Sequence, residues 1–101
     1  MKILLNVSFP HQKFNAAVRD GTIGAKIKKI LDAQKPSAVY FTDQGGLRSA
    51  ILIVDLAEAS QVPALAEPWF LTFDADVNLR VVMTPEDLAK AGLDQLGQKW
   101  G

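Results

Sequence analysis

Residues 40–55 read YFTDQGGLRSAILIVD. Two apolar runs flank Gln44-Gly45-Gly46, and paired glycines at such a junction mark the tight turn of a β-hairpin. The second run, Ala50-Ile51-Leu52-Ile53-Val54, is apolar at every position. Successive side chains of a strand point to opposite faces, so this strand asks to be covered on both. An antiparallel sheet packed on one side only would alternate apolar and polar residues instead. The unbroken run raises the question of what covers the second face.

Composition narrows the answers. A chain of 101 residues suits one domain, 1–101, with a single modest core. Eleven basic and eleven acidic side chains cancel, so no electrostatic footprint for nucleic acid or an anionic membrane is expected. The absence of cysteine removes disulfides, thiolate chemistry and Cys-based metal sites. The opening MKILLNVSFPHQKF has a short apolar run, broken by Pro10 and polar residues, which reads as a strand rather than a secretory leader. No stretch approaches the roughly 18 apolar residues of a membrane span. The expectation is a cytoplasmic protein.

Outward from the hairpin, the periodicities predict the remaining elements. Residues 2–9, KILLNVSF, alternate with Ile3, Leu5, Val7 and Phe9 on one side, which predicts a strand ended by Pro10. Residues 11–35 carry two helical stripes, Phe14, Ala17 and Val18, then Ile23, Ile27, Ile30 and Leu31. The stripes are out of phase, and Asp20-Gly21-Thr22 between them predicts a stop and a new start. The hairpin strands are placed at 38–43 and 47–55. A helix is predicted over 60–73 with Ser60 as N-cap, and Pro68 inside it predicts a kink or a split. Alternation returns over 76–83. Thr84-Pro85-Glu86-Asp87 then opens a helix over 85–91, closed by Gly92. The tail after it is weakly patterned, with Leu93, Leu96 and Trp100 as the residues able to dock.

The order strand, helix, strand, strand, helix, strand, followed by a terminal helix, predicts an α+β, ferredoxin-like βαββαβ fold. Its four antiparallel strands would hold both helices on one face. Either assignment of faces leaves apolar residues opposite the helices, grouped as Leu4, Tyr40, Leu52, Val54 and Val82 or as Ile51, Ile53, Phe41 and Val39. A patch of that size is unusual on a monomer. Two covers are open: a second copy of the sheet in a two-fold homodimer, or the tail 93–100 folded back. The tail has few apolar residues for four strands, so the homodimer is the expectation.

Within this pattern VPALAEPWFLTFDADVNLRVVMTPEDL, residues 62–88, resembles the IPAIAEPWF…VMTPEDL type of sequence of small bacterial members of the dimeric α/β-barrel superfamily. The first strand and the YFT…LIVDL hairpin are similar to the same antibiotic-biosynthesis-monooxygenase-like group, so the likeness spans nearly the whole chain. It implies two ferredoxin-like units joined sheet to sheet as a dimeric α/β barrel. Relatives in that superfamily include monooxygenases, lactone isomerases, haem-degrading enzymes and stress proteins, so the resemblance implies a fold and selects no chemistry.

The candidate ligand-binding residues are Glu67, Trp69, Phe70, Tyr40, Asn6 and Arg80. Pro68 lacks an N–H and leaves the Ala64 carbonyl without its helical partner, and the widened turn could open a cleft with Trp69 as floor or gate and Glu67 as its carboxylate. The competing reading makes Trp69, Phe70 and Phe73 core, with Glu67 answering the freed backbone groups. Asn6, Trp69, Tyr40 and Arg80 are of the types that the resemblance implies around an aromatic substrate in cofactor-independent monooxygenases. Arg48 and Arg80 also read as ion-pair partners for Asp43, Asp55 or Asp76. His11 is the single histidine and begins a helix. With no second histidine and no cysteine, neither metal nor cofactor is expected. The helical histidine that holds iron in haem-degrading relatives has no counterpart here. These readings lead to a homodimeric module that binds a small apolar molecule, or assembles, without identifiable catalytic groups. The alternative is a cofactor-independent, monooxygenase- or lactone-isomerase-like enzyme acting on a small aromatic or lactone compound. An open cleft beside Trp69 would favour the enzyme, and one filled by Phe70, Phe73 and Met83 the module.

Overall fold

Every residue from 1 to 101 is described by the structure, a computed structural model. The elements are β1 (Lys2–Phe9), α1 (His11–Asp20), α2 (Ile23–Gln34), β2 (Ala38–Gln44), β3 (Leu47–Asp55), α3 (Val62–Phe73), β4 (Asp76–Val81), α4 (Pro85–Lys90) and α5 (Leu93–Trp100). A 3₁₀ turn over Ala59–Gln61 leads into α3. The four strands form one antiparallel sheet in the order β2-β3-β1-β4, which fits the ferredoxin-like βαββαβ pattern.

The hairpin closes as its glycines require. Gln44 pairs with Leu47, and Gly45 and Gly46 both have positive φ, at 58° and 82°, the geometry of a two-residue type I′ turn. α3 starts two residues later than Ser60 suggests, because Glu58 caps the 3₁₀ turn and exchanges hydrogen bonds with Gln61. β4 ends at Val81, two residues short of the alternation, although the Val82 N–H still donates to the Lys2 carbonyl.

The core lies between the sheet and α1–α3. Ile3, Leu5, Val7 and Phe9 of β1 and Ala50, Leu52 and Val54 of β3 are buried there. Phe9 lies at the centre of an aromatic group, 5.0 Å from Phe14, 5.8 Å from Trp69 and 5.1 Å from Phe73, ring centre to ring centre. Tilted and edge-on rings of this kind add about 0.5–1.5 kcal/mol per pair beyond the apolar area they bury.

Register settles which side chains share a face. Leu52 lies opposite Leu5 and faces the helices, whereas Ile53 lies opposite Leu4 and faces away. The open face therefore carries Leu4, Tyr40, Ile51 and Ile53, a mixture of the two groups the sequence reading kept apart. The reason is a one-residue phase: alternation within β1 and within β3 is local, their alignment to each other is not, and one step of register exchanges the faces of a whole strand.

The C-terminal tail does not fold over that face. No residue of α4 or α5 is buried, and the molecule measures 59 × 28 × 20 Å. Its radius of gyration is 17.0 Å, where a compact chain of this length has about 13 Å. α4 and α5 form an arm projecting from the body.

Candidate functional site

Pro68 leaves α3 continuous from Val62 to Phe73 rather than splitting it. The carbonyl freed at Ala64 is answered by Gln34, the last residue of α2, whose Nε2 donates to Ala64 O at 3.3 Å and to Leu65 O at 2.9 Å. The Oε1 of the same amide accepts the Trp69 indole N–H at 3.2 Å. One side chain thus answers a break in the helical ladder and fixes the tryptophan beside it. Glu67, expected in that role, is exposed and faces away. Gln34 escaped the sequence reading because its partners lie 30 and more residues away and no local pattern marks a helix-terminal glutamine.

Trp69 is 0% exposed and lines no cavity. The space beside it is filled by Phe9 and Phe73 rather than by Phe70 and Met83, both of which are exposed. Of the 67–73 segment, Pro68, Leu71 and Thr72 line a shallow outer groove of about 420 Å³, shared with Lys26, Lys29 and Ile30 of α2. Trp69 lies on the inner side of the helix, away from it.

The six candidates are therefore divided. Trp69 is in the core, and Glu67 and Phe70 are on the outside of α3. Tyr40, Asn6 and Arg80 share the open face of the sheet, and there the register brings them into two adjacent rows. One row runs Tyr40–Ile51–Asn6–Asn78 across the four strands, and the next runs Ala38–Ile53–Leu4–Arg80. A third row, Thr42–Ser49–Ser8–Asp76, is polar throughout.

The open face is thus graded from apolar to polar along the strands. At the polar end Gln44 reaches across β3, and its Oε1 accepts from Asn6 Nδ2 at 2.6 Å and from Ser8 Oγ at 3.5 Å. Ser49, the one buried polar residue, donates from Oγ to the Val7 carbonyl at 2.8 Å and to Asn6 Oδ1 at 3.4 Å. These neutral amides and hydroxyls can offer and accept hydrogen bonds without bringing charge, so they can be buried at small cost when partnered. Asn6 was visible as a candidate in the sequence. Gln44 and Ser49 were not, because a turn glutamine and a strand serine become a cluster only once the strands are paired.

Charge enters this face at its margins, where Asp76 ends the polar row, Arg80 ends an apolar one and Lys2 pairs with Asp55. Arg48 does not pair with a carboxylate: its guanidinium carbon lies 4.5 Å from the Phe14 ring centre and Nη1 donates to Asn15 Oδ1 at 2.8 Å. Arg80 makes no ion pair either. The ion pairs formed are Lys2–Asp55, Lys13–Asp74 and Lys28–Asp32, all at the surface. His11 is exposed at the first turn of α1, and no group of three His, Asp or Glu side chains converges. No helix is long and apolar enough to cross a membrane. No protein-family model and no curated protein matches the chain.

Proposed function

We propose that the chain works as a homodimeric small-molecule-binding module, two copies joining through the open faces of their sheets as a dimeric α/β barrel. The observation that carries this reading is the pair of rows Ala38–Ile53–Leu4 and Tyr40–Ile51, which no element of the same chain covers. Tyr40 is 68% exposed while its neighbours Ile51, Ile53 and Leu4 are half-buried. A two-fold axis through this patch sets each apolar row against its own copy. The neutral cluster of Asn6, Ser8, Gln44 and Asn78 then borders the joint, with Tyr40 and Arg80 at its rim. A ligand held there would be a small, mainly apolar molecule with one neutral hydrogen-bonding group, matched to the amides. The charged groups on this face, the Lys2–Asp55 pair, Asp76 and Arg80, stand in separate rows at its margins, which supports binding over catalysis.

Sedimentation of the purified chain at micromolar concentration tests the assembly, with twice the monomer mass expected. A monomer at that concentration overturns the reading. Native mass measurement of the same sample tests for a retained small molecule, and dimer of bare mass at every step of purification would reduce the module to assembly alone.

A further inference from the structure

Four strands at about 4.8 Å spacing, each about 26 Å long for eight residues, offer a footprint of about 500 Å² per copy. A stable protein–protein interface buries about 800 Å² per partner. The face holds few large aliphatic side chains, among them Leu4, Leu47, Ile51 and Ile53, all already half-buried. Face-to-face contact of this projected size lies at the small end of stable interfaces.

The arm offers further apolar surface. In α5, Leu93, Leu96 and Trp100 recur at i, i+3 and i+7 and so share one side of the helix, and Leu88 of α4 precedes them. All four are exposed, Trp100 at 77%. The arm is nonetheless well formed. The Thr84 hydroxyl accepts from the Asp87 N–H at 3.1 Å while Asp87 Oδ2 accepts from the Thr84 N–H at 3.0 Å, a complete capping box. The apolar stripe meets only the arm's own side chains and is left unpartnered by the body.

A matching surface lies at the far edge of the sheet. Phe41 points to the helix side of β2, as Val39 does, yet it is 55% exposed. With Ile27 and Leu31 of α2 it lines an open cleft of about 400 Å³. The chain's own arm leaves from β4, the opposite edge, three strand spacings or about 14 Å away, and it projects outward from the body. A second copy has no such restriction.

Resting on the dimer reading, we infer that residues 82–101 are an exchange arm, whose α5 stripe seats in the α2–β2 cleft of the second copy, with Leu96 and Trp100 against Phe41, Ile27 and Leu31. Exchange is reciprocal, so two arms and two clefts are satisfied at once, and both contacts add to the area joined by the sheets.

The cysteine-free chain makes the test direct. Two full-length variants, Leu96→Cys and Leu31→Cys, are purified separately, mixed, allowed to exchange and oxidised mildly. The expected product is a disulfide-linked pair containing one chain of each, in at least tenfold excess over either homodimeric cross-link. In parallel, Leu93→Asp/Leu96→Asp in the full chain is expected to weaken dimerisation at least tenfold by sedimentation, with the circular dichroism of the body kept. A wild-type dimer that gives no mixed cross-link and is unaffected by the double aspartate change overturns the exchange arm while leaving the sheet-to-sheet dimer standing. A chain carrying both cysteines that closes an intramolecular loop in dilute solution overturns it too, since the arm then serves its own cleft. A wild-type monomer overturns the dimer itself.

Discussion

On the helix side of the sheet the row Val39–Leu52–Leu5–Leu79 is closed over by α2 and α3; one step along the same strands, the open side presents Ala38–Ile53–Leu4–Arg80 to solvent. Leu52 and Ile53 are adjacent, of equal size and equally apolar, and their surroundings could hardly differ more. Leu52 is fully buried, and Ile53 is half-covered by its neighbours in the sheet alone. Hydrophobicity tells that both want cover; only position tells whether the cover comes from within the chain or from another one.

The largest expected effect comes from exchanging the fates of these two residues. Leu52→Asp buries an unpaired carboxylate in the core and should cost more than about 4 kcal/mol, leaving the chain unfolded by circular dichroism. Ile53→Asp should keep the folded spectrum and raise the dimer dissociation constant at least about a hundredfold by sedimentation. Equal damage from both substitutions would mean that the two faces are not distinct.

Next comes the aromatic core. Trp69→Ala removes a sealed indole packed on Phe9 and Phe73 and should lower unfolding free energy by about 4 kcal/mol in a denaturant titration. Loss below about 1 kcal/mol would show that the site is looser than its complete burial indicates.

Gln34→Ala sharpens the same comparison from the helix side. It leaves the Ala64 carbonyl and the Trp69 indole N–H without partners, for an expected loss of about 2 kcal/mol. Glu67→Ala, on the outer side of α3, should change stability by no more than about 0.5 kcal/mol. A reversal of that order would return Glu67 to the role the sequence suggested for it.

Thr84→Ala should act only on the arm. Loss of the capping box weakens α4 by about 1 kcal/mol, visible as faster amide exchange over 85–90, while the midpoint of the body's unfolding stays in place.

The smallest effect concerns Asp20 in the turn between α1 and α2. Its carboxylate accepts from the Thr22 hydroxyl at 2.6 Å and from the Thr22 N–H at 2.9 Å, which holds its pKa below the ordinary value of 3.8, with Lys26 adding a minor pull in the same direction. A depressed folded pKa gives stability that is complete above the ordinary value and is lost as pH falls through the folded one. Asp20→Asn should therefore flatten the acid limb of the stability curve below pH 4 slightly and leave neutral pH little changed. An unaltered acid limb would show that the Thr22 bonds do not persist in solution.

Much of the molecule was legible in the linear pattern because its causes are local. Gly45 and Gly46 had to make a tight turn, the alternation of 2–9 had to be a half-buried strand, and Thr84-Pro85-Glu86-Asp87 had to start a helix. Each depends on residues within a turn or a strand of one another. Even the defect at Pro68 was foreseeable, since an absent N–H leaves the same carbonyl free in any helix. What answered that defect was not foreseeable: Gln34 lies 30 residues from Ala64 in the chain. The same holds for the grouping of the candidates. Asn6, Tyr40 and Arg80 came onto one face, and Trp69 was parted from them by the thickness of the sheet, only when strands separated by dozens of residues chose a register. The sequence by itself determined which segments are strands and helices and that one strand needs cover on both faces, because period and turn chemistry act within a few residues. Which face stays open, that Trp69 is sealed behind it and that the tail stands away from the body were decided by tertiary structure alone, because they depend on the phase between distant strands, and a one-residue step in that phase turns every side chain of a strand to its other face.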